Sequence, residues 1–321
     1  MKNLFRRIAG AALMIYLLAG TAYAKALIPV GQVVGLELQD RQVVVVGFDE
    51  EQGQAAKAAG LLSGDIIKKI DNTAITCAED VRKALRAANG TVALEIAREG
   101  KVKQLQLTPQ ITKDGPRLGV YLRQGITGIG TVTWYDPETH QFGTLGHGVN
   151  DTGGKLLPMT QGWAYRAKVM TVKKGKIGEP GQLYGSIVSP EPAGTLSANT
   201  QQGVFGTCRD GWEGQAIEVA SMSEVKAGDA VIRTTVSGDA VREYSVEILK
   251  IYPKGKGTGR NMLIKITDPQ LLEVTGGIVQ GMSGSPIIQD GKLVGAVTHV
   301  LVNDPTTGYG IFIENMLDAA A

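Results

Sequence analysis

Cysteine, histidine and aromatic residues are all scarce in this chain. It has two cysteines and three histidines, and aromatic side chains occupy 5% of its 321 positions. The cysteines, Cys77 and Cys208, can form at most one bridge, so a fold held by a disulfide framework is excluded. They fall in what we assign to different domains, and the sequence leaves open whether they pair. No cysteine and histidine cluster has the spacing of metal ligands, and we expect neither a metal nor an organic cofactor.

An excess of charge of one sign is also lacking. The formal net charge is +2, from 33 basic and 31 acidic residues. Without a basic run or a basic amphipathic helix, the sequence does not suggest binding to nucleic acid or to a membrane surface. Glycine, by contrast, is abundant at 43 residues. Together with the few aromatics, this composition favours a turn-rich β protein.

The chain's longest hydrophobic run lies at the N-terminus. Three basic residues precede an apolar stretch over residues 8–20, and Ala22-Tyr23-Ala24 then offers a small-x-small cleavage site. The stretch is shorter than the about 20 residues that span a bilayer comfortably. We therefore expect residues 1–24 to be a signal peptide, with an uncleaved N-terminal anchor as the alternative. Either way, the body of the protein is expected to be exported.

Residues 27–110 have the pattern of a compact α+β module. Strand-like segments lie at both ends, and residues 78–88 have the periodicity of a helix with Gly90 just after it. Residues 59–71 read A-G-L-x-x-G-D-x-I-x-x-I-D. This stretch resembles a PDZ domain in the arrangement found in secreted bacterial proteases. PDZ domains bind extended peptides by adding a strand to an exposed sheet edge.

The peptide-binding loop of this module is predicted near its start. The five residues assigned to it are Gln32, Val33, Val34, Gly35 and Leu36. Gly35 would let the backbone turn inward, so that neighbouring N–H groups face the ligand. The alternative is that residues 33–38 form only a core strand and the groove is vestigial. The polar, turn-like residues 111–116 are predicted to be the interdomain linker.

Residues 117–321 are predicted to form a second, all-β domain. Turn signals recur about every eight to twelve residues, with short apolar or alternating segments between them, as in a barrel or a sandwich pair. A long amphipathic helix is not evident, except over residues 313–320 at the end, where Met316 and Leu317 could dock.

The most informative stretch of this domain is a glycine turn. Residues 281–286 read G-M-S-G-S-P and precede an apolar strand and a hairpin at Asp290-Gly291. The pattern resembles the nucleophile turn of chymotrypsin-like serine proteases, which implies a barrel-type peptidase domain. Ser283 would be the nucleophile, and the N–H groups of Gly281 and Ser283 would form the oxyanion hole. The alternative is a glycine-rich turn between two core strands.

Two neighbours refine this assignment. Ser285 could be mistaken for the nucleophile, but Ser283 alone has glycine two residues before it and immediately after it. If the turn is like that of chymotrypsin-like proteases, Met282 occupies the position where digestive proteases carry an aspartate that pairs with a freshly cut N-terminus. Methionine cannot form that pair, so we expect activation without a new ammonium terminus.

A nucleophilic serine needs a base, and the base needs a group that orients it. Of the three histidines, His147 lies in a glycine frame that would expose its ring, His140 follows a loop-like segment, and His299 lies in an apolar strand. The orienting group could be Asp268 or Asp151. Asp268 could instead cap a short helix that begins with proline, and Asp151 could be a turn residue. The spacing alone leaves the choice open.

Three long motifs, taken with the PDZ-like module, resemble the SpoIVB peptidase family. They are F-G-T-L-G-H-G-V-N-D at 142–151, T-G-G-I-V-Q-G-M-S-G-S-P-I at 275–287 and G-A-V-T-H-V-x-V-N-D-P-T-x-G-Y-G at 295–310. The resemblance covers essentially the whole chain. It implies a catalytic set of His147, Asp268 and Ser283, and so favours Asp268 over Asp151.

The resemblance also implies a biological role. Members are secreted serine endopeptidases of endospore-forming bacteria that act between the two membranes around the forespore. They cleave themselves and a regulator of the intramembrane protease that activates the late mother-cell sigma factor. The expected partners are therefore peptide and protein substrates, including the chain itself and a membrane-bound regulator, and the protein is expected to lie peripherally at the membrane. The alternative from another class is a secreted PDZ adaptor with an inactive β scaffold.

Overall fold

The computed structural model describes residues 25–151, 153–253 and 259–321. The predicted signal peptide, residues 1–24, therefore lies outside the described residues. Among the helices that are described, none has the length and apolar character needed to cross a membrane.

The described residues form a strand-rich fold with four helices. The strands are β1 (Ala26–Pro29), β2 (Val33–Phe48), β3 (Ile66–Ile70), β4 (Thr73–Ala74), β5 (Val92–Arg98), β6 (Lys101–Leu107), β7 (Gln110–Thr112), β8 (Gly115–Arg117), β9 (Val120–Tyr135), β10 (Gln141–Thr144), β11 (Gln161–Lys173), β12 (Gln182–Ile187), β13 (Gly194–Thr200), β14 (Gly203–Cys208), β15 (Ile217–Glu218), β16 (Gly228–Thr234), β17 (Arg242–Ile251), β18 (Met262–Ile266), β19 (Pro286–Gln289), β20 (Lys292–Leu301) and β21 (Asp304–Phe312). The helices are α1 (Gln54–Ala58), α2 (Ala78–Ala87), α3 (Pro269–Thr275) and α4 (Ile313–Ala320).

The first barrel is closed by β2, which pairs with both β9 and β11. The strands follow one another as β2-β9-β10-β14-β13-β11 around the ring. In the barrel half of β2, the alternate residues Val34, Leu36 and Leu38 point into the barrel, as the period of a strand requires. Leu36 and Leu38 are buried there with Val132 and Phe142. The alternation therefore places one apolar face of β2 in the barrel core.

The second barrel is built from the C-terminal part of the chain. Its strands close in the order β16-β17-β18-β21-β20-β19. Met282, next to the predicted nucleophile, is fully buried in its core with Ile264 and Phe312. The helix α4 packs through Ile313 and Met316 against Trp134 of the first barrel, and so ties the two barrels together.

The PDZ-like module is a small sheet covered by α1 and α2. It contains β3, β5 and β6 together with one half each of β2 and β9. As the periodicity of the sequence predicts, α2 buries Val81, Ala84 and Leu85 on one face. These side chains pack against strand residues such as Ile67 and Leu94 in a core of their own.

The module and the first barrel share two long strands. Residues 33–38 of β2 pair with residues 126–131 of β9 inside the barrel, and after a register shift residues 43–48 pair with residues 120–124 inside the module. The residues predicted to be a linker, 111–116, form most of the two-stranded sheet of β7 and β8. The predicted fold class, a PDZ-like α+β domain followed by a mainly β peptidase domain, is confirmed.

Candidate active site

The predicted nucleophile and base face one cavity of about 500 Å³ between the two barrels. Ser283 precedes β19 of the second barrel, and His147 follows β10 of the first. Residues far apart in the sequence therefore meet in the cleft, as in other enzymes whose sites lie between domains.

The turn that carries Ser283 is clamped to β9 by two buried threonines. The Thr131 hydroxyl donates to the Gly281 carbonyl (2.8 Å), and the Thr133 hydroxyl donates to the Gly284 carbonyl (2.7 Å). The Thr131 amide also donates to the Ser283 carbonyl (3.0 Å). Gly284 has φ +96°, and a Cβ there would lie 2.0 Å from the Thr131 carbonyl oxygen. Only glycine fits so close to the clamping strand.

The amide pattern of this turn matches an oxyanion hole. The Met282 amide donates to the Val279 carbonyl (3.1 Å), and the Gly284 amide donates to the Val297 carbonyl (2.8 Å). In the described part of the chain, the Gly281 and Ser283 amides, which alternate with these two, have no hydrogen-bond acceptor. Two unpartnered donors, one of them the amide of the serine itself, can stabilise the negative oxygen of a tetrahedral intermediate.

The two serines of the motif have different surroundings. The Ser283 hydroxyl is partly buried, lines the cavity and donates to the Thr298 carbonyl oxygen (2.8 Å). The Ser285 hydroxyl is completely buried and donates to the Met282 carbonyl (2.7 Å). Ser283 is therefore the serine that a substrate can reach.

His147 is presented by a strained turn. Leu145, two residues before it, has φ +69°, which is rare for a residue with a branched side chain. Nδ1 of His147 lies 3.0 Å from the Gly148 carbonyl oxygen, an acceptor, so Nδ1 carries the proton and donates. Nε2 is then left with a lone pair, as a general base requires. Burial lowers the pKa of His147 and so keeps the ring neutral, although the hydrogen bond to Gly148 opposes this shift.

A second histidine lies beside the first. A register shift between Val297 and His299 interrupts the pairing of β20 with β21. His299 lines the same cavity as His147, and the two ring centroids are 5.1 Å apart. The buried Nδ1 of His299 has no hydrogen-bond partner among the described residues. Burial lowers the pKa of His299 to about 4, and repulsion from Arg260 and from His147 in its protonated form adds to this effect.

The structure does not bring Asp268 to His147. The Asp268 carboxylate caps α3 and accepts hydrogen bonds from the amides of Gln270 (2.9 Å) and Leu271 (3.0 Å). This is the capping role that a Ser, Thr, Asp or Asn residue before a helix commonly has, with proline at the first helical position. The role of Asp268 in orienting the base, which the family resemblance implies, therefore has no contact to support it here.

Asp151 is also occupied elsewhere. Its carboxylate accepts hydrogen bonds from the amides of Gly153 (2.8 Å) and Lys155 (3.0 Å), so it holds a turn. Within the described ranges, no carboxylate contacts His147. The orienting contact that the structure does show is the Gly148 carbonyl.

The residues predicted to form the PDZ peptide-binding loop lie in the wall of the first barrel, so their assignment to a peptide-binding loop is wrong. Val33, Val34, Gly35 and Leu36 belong to β2 and pair with β9, and Val34, Gly35 and Leu36 also pair with β11 on the other side. The Gln32 carbonyl accepts a hydrogen bond from the Val132 amide (3.0 Å). Because these strand edges are already paired, an added peptide strand has no free edge there. The alternative of a core strand describes this segment correctly.

A different groove in the module has the form of a peptide site. It has a volume of about 480 Å³ and lies between α2 and residues 116–122 at the start of β9. Val81 and Leu85 line its helix side. In the structure as described, residues 120–122 pair only with β2, so their other edge faces the groove. This is the arrangement that strand addition requires.

Two further questions raised by the sequence concern metals and cysteines. Within residues 25–151, 153–253 and 259–321, no three His, Cys, Asp or Glu side chains lie close enough together to hold a metal ion. Cys77 and Cys208 are both free, and Cys208 is buried. The structure therefore shows no bridge between them.

Sequence reasoning missed the groups that support the site. Thr131, Thr133 and Thr298 are buried polar residues of strands, and no motif marks them. The one available signal was the alternation of Thr131 and Thr133 in G-I-G-T-V-T-W, which places two hydroxyls on the same face of a strand. The position of the nucleophile turn against that face could not be read from the sequence.

The arrangement suits acyl transfer. The Ser283 hydroxyl would attack a carbonyl carbon while Nε2 of His147 takes its proton and later returns it to the leaving group. The Gly281 and Ser283 amides would bind the oxyanion, a contribution of about 3–4 kcal/mol per donor in related sites. Two six-stranded barrels with a serine and a histidine in the cleft between them define a serine peptidase of the chymotrypsin type.

Comparison with known proteins gives the family. A model described as SpoIVB peptidase S55 matches residues 114–317, and a PDZ domain model matches residues 33–108. The chain belongs to the SpoIVB peptidase family, and the resemblance drawn from its motifs is confirmed. It is a serine peptidase with an N-terminal PDZ domain. No curated protein is similar enough to the chain to match it.

Solved structures resemble parts of the chain. The PDZ domain of the SdrC-like protein of Listeria monocytogenes is 23% identical over 26% of this chain and 87% of its own, with a TM-score of 0.22. The inactive form of the Rv3671c protease is 14% identical over 61% of this chain and 85% of its own, with a TM-score of 0.35. A serine-to-alanine mutant of Rv3671c from M. tuberculosis is 14% identical over 61% of this chain and 82% of its own, with a TM-score of 0.33. At these values, neither protein indicates what this chain cleaves.

Proposed function

We propose that this chain is an exported endopeptidase of sporulation that cleaves itself and a regulator of the intramembrane protease activating the late mother-cell sigma factor. Membership of the SpoIVB peptidase family supports this role. The observation that carries the peptidase chemistry is the placement of Ser283, His147 and the two unpartnered amides of the nucleophile turn around one cavity.

Export is proposed from the sequence of residues 1–24. The basic start, the apolar stretch and the small residues at 22 and 24 are the features of a signal peptide. The proposed compartment is the space between the two forespore membranes. N-terminal sequencing of the chain recovered from outside the cytoplasm would show a new terminus at or near Lys25 if the segment is removed, and Met1 if the segment is retained as an anchor.

The PDZ domain is proposed to recruit substrate. The groove between α2 and the start of β9 has a free strand edge and a lining that includes Arg82, Arg86 and Arg117. These cations outnumber the two acidic residues of the lining, Asp49 and Asp114. An extended segment of the membrane-bound regulator that ends in a carboxylate would suit this groove.

The experiment follows the intact mass of the purified full chain over time, for the wild type beside Ser283→Ala. Loss of N-terminal fragments by the wild type alone would establish self-cleavage by Ser283. Shedding by both proteins would point to a contaminating protease. If both stayed whole and neither cut a mixed peptide pool, the alternative of a non-catalytic PDZ adaptor would gain support.

A further inference from the structure

The cavity beside Ser283 has a largely apolar lining. Apolar side chains that line it and are at least partly exposed come from both barrels: Ile126, Ile129, Val149, Val300 and Val302. Deeper in the cleft, Leu38 and Val279 complete its apolar wall. An apolar concave surface open to solvent usually marks the site of a ligand that covers it.

The described lining of this cavity carries no formal charge. No Asp, Glu, Lys or Arg is among the residues that line it in the described part of the chain. Its ionisable groups are His147 and His299, and burial lowers the pKa of both, so both rings are neutral at pH 7. Arg260, whose charge acts on His299, lies over the ring of Tyr309 with its guanidinium carbon 5.2 Å from the ring centre.

We propose that the cleft beside Ser283 selects peptides whose residues next to the scissile bond are uncharged and apolar. This inference rests on the proposed peptidase function and adds the class of substrate. A charged side chain that entered the cleft would lose its hydration without gaining a partner, which is costly. An apolar side chain would cover wall surface that is otherwise exposed, and each added methylene contributes to binding.

The test profiles the bonds that the enzyme cuts. The full chain is incubated with a pool of peptides from a digested proteome, with Ser283→Ala as the control, and the cut sites are read by mass spectrometry. We expect apolar residues beside the scissile bond, with kcat/KM for matched peptides on the order of 100-fold lower when that residue is Lys, Arg, Asp or Glu. Cutting beside charged residues at comparable rates would overturn the proposal.

A variant at the rim supplies a second test. Val302 is 45% exposed, so a polar residue there should not disturb folding. Val302→Asp places a carboxylate in the cleft, and Val302→Asn is the uncharged control of the same shape. We expect Val302→Asp to raise kcat/KM for lysine-containing peptides about 10-fold relative to Val302→Asn. Equal profiles for the two variants would count against the cleft as the recognition surface.

Binding to the inactive enzyme keeps the two proposals apart. Ser283→Ala should bind capped apolar hexapeptides at least about 10-fold more tightly than their lysine or aspartate analogues. If the wild type cuts nothing but this preference is found, the proposed function fails and the apolar cleft stands. If the wild type cuts peptides and the preference is absent, the function stands and the inference fails.

Discussion

Ser283 and Thr298 are joined by a hydrogen bond in which the serine hydroxyl donates to the threonine carbonyl oxygen at 2.8 Å. Thr298 is itself held, because its hydroxyl contacts the carbonyl oxygens of Gly259 (2.8 Å) and Tyr309 (3.1 Å). The nucleophile therefore rests on a fixed acceptor other than the base. Attack on a substrate requires the hydroxyl to exchange this acceptor for Nε2 of His147.

The first prediction separates the two serines of the turn. Ser283→Ala removes the nucleophile and should lower kcat by about 10⁶-fold, whereas Ser285→Ala should leave the enzyme active. Because the buried Ser285 hydroxyl bonds to the Met282 carbonyl, its loss should lower the free energy of unfolding by about 1 kcal/mol. Labelling with a serine hydrolase probe and thermal unfolding measure the two effects. Loss of labelling in Ser285→Ala with an unchanged fold would contradict the assignment.

The second prediction concerns the clamp on the nucleophile turn. Thr131→Val removes the hydroxyl that donates to the Gly281 carbonyl and leaves that buried oxygen without this donor. We expect the free energy of unfolding to fall by about 1–3 kcal/mol. We also expect kcat to fall more than KM changes, because the oxyanion amides lose their support.

Thr127→Val is the matched control, because Thr127 lies on the same strand with its side chain exposed. It should change neither stability nor kcat appreciably. If Thr131→Val lost stability but kept a normal kcat, the clamp would be a folding contact without influence on the oxyanion site.

Much of the fold could be predicted from the sequence because its patterns are local. The face of α2 formed by Val81, Ala84 and Leu85 follows from helical periodicity. The turn at Ser283 follows from glycines at 281 and 284, since both have positive φ angles, +100° and +96°. Local backbone requirements of this kind leave a direct mark on residue choice.

Contacts between distant segments could not be predicted in this way, because they do not require a particular residue type at each position. Residues 32–36 were predicted to form a peptide-binding loop, but the pairing of β2 with β9 and β11 places them in the barrel wall. The sequence could not distinguish the two positions, because an apolar strand segment fits either. The carboxylate of Asp268 likewise fits a catalytic role or a helix cap by composition alone. Only the three-dimensional arrangement decides which partner such a residue meets.

The third prediction therefore addresses Asp268. As a helix cap, it should tolerate Asp268→Asn, because asparagine caps as well as aspartate does, whereas Asp268→Ala should cost about 1 kcal/mol of unfolding free energy. From the contacts in this structure, Asp268→Asn is expected to keep its activity. Thermal unfolding and kcat/KM of both variants test this. A loss of about 10⁴-fold in Asp268→Asn with unchanged stability would show that the carboxylate reaches His147 in the working enzyme.

The fourth prediction concerns pH and activity. His147 must be neutral to act as a base, and burial lowers its pKa below the usual value near 6.5. The acid limb of kcat/KM should therefore lie below pH 6.5. A limb above that value would mean that a group other than a buried, neutral His147 limits the reaction.

The free energy of unfolding should also depend on pH, through the titration of His299. The pKa of His299 is about 4 in the folded chain, so between that value and about 6.5 the unfolded chain binds more protons. Stability should then be fully present above pH 6.5 and decline as the pH falls toward 4. His299→Phe removes the titrating group and should flatten this decline, which chemical denaturation at a series of pH values would measure. An equal slope in both proteins would contradict the assignment.

The fifth prediction tests the relocated peptide groove. Arg86 lines the groove between α2 and β9, whereas Lys83 lies on the same helix, is exposed and does not line it. Arg86→Glu should weaken binding of a peptide with a free carboxyl terminus by about five-fold or more, and Lys83→Glu, with the same change in charge, should not. Fluorescence anisotropy with the free and the amidated peptide measures both effects. If both variants lost the same affinity for the peptide, the effect would come from the overall charge of the protein. If neither lost affinity, the peptide would bind outside this groove.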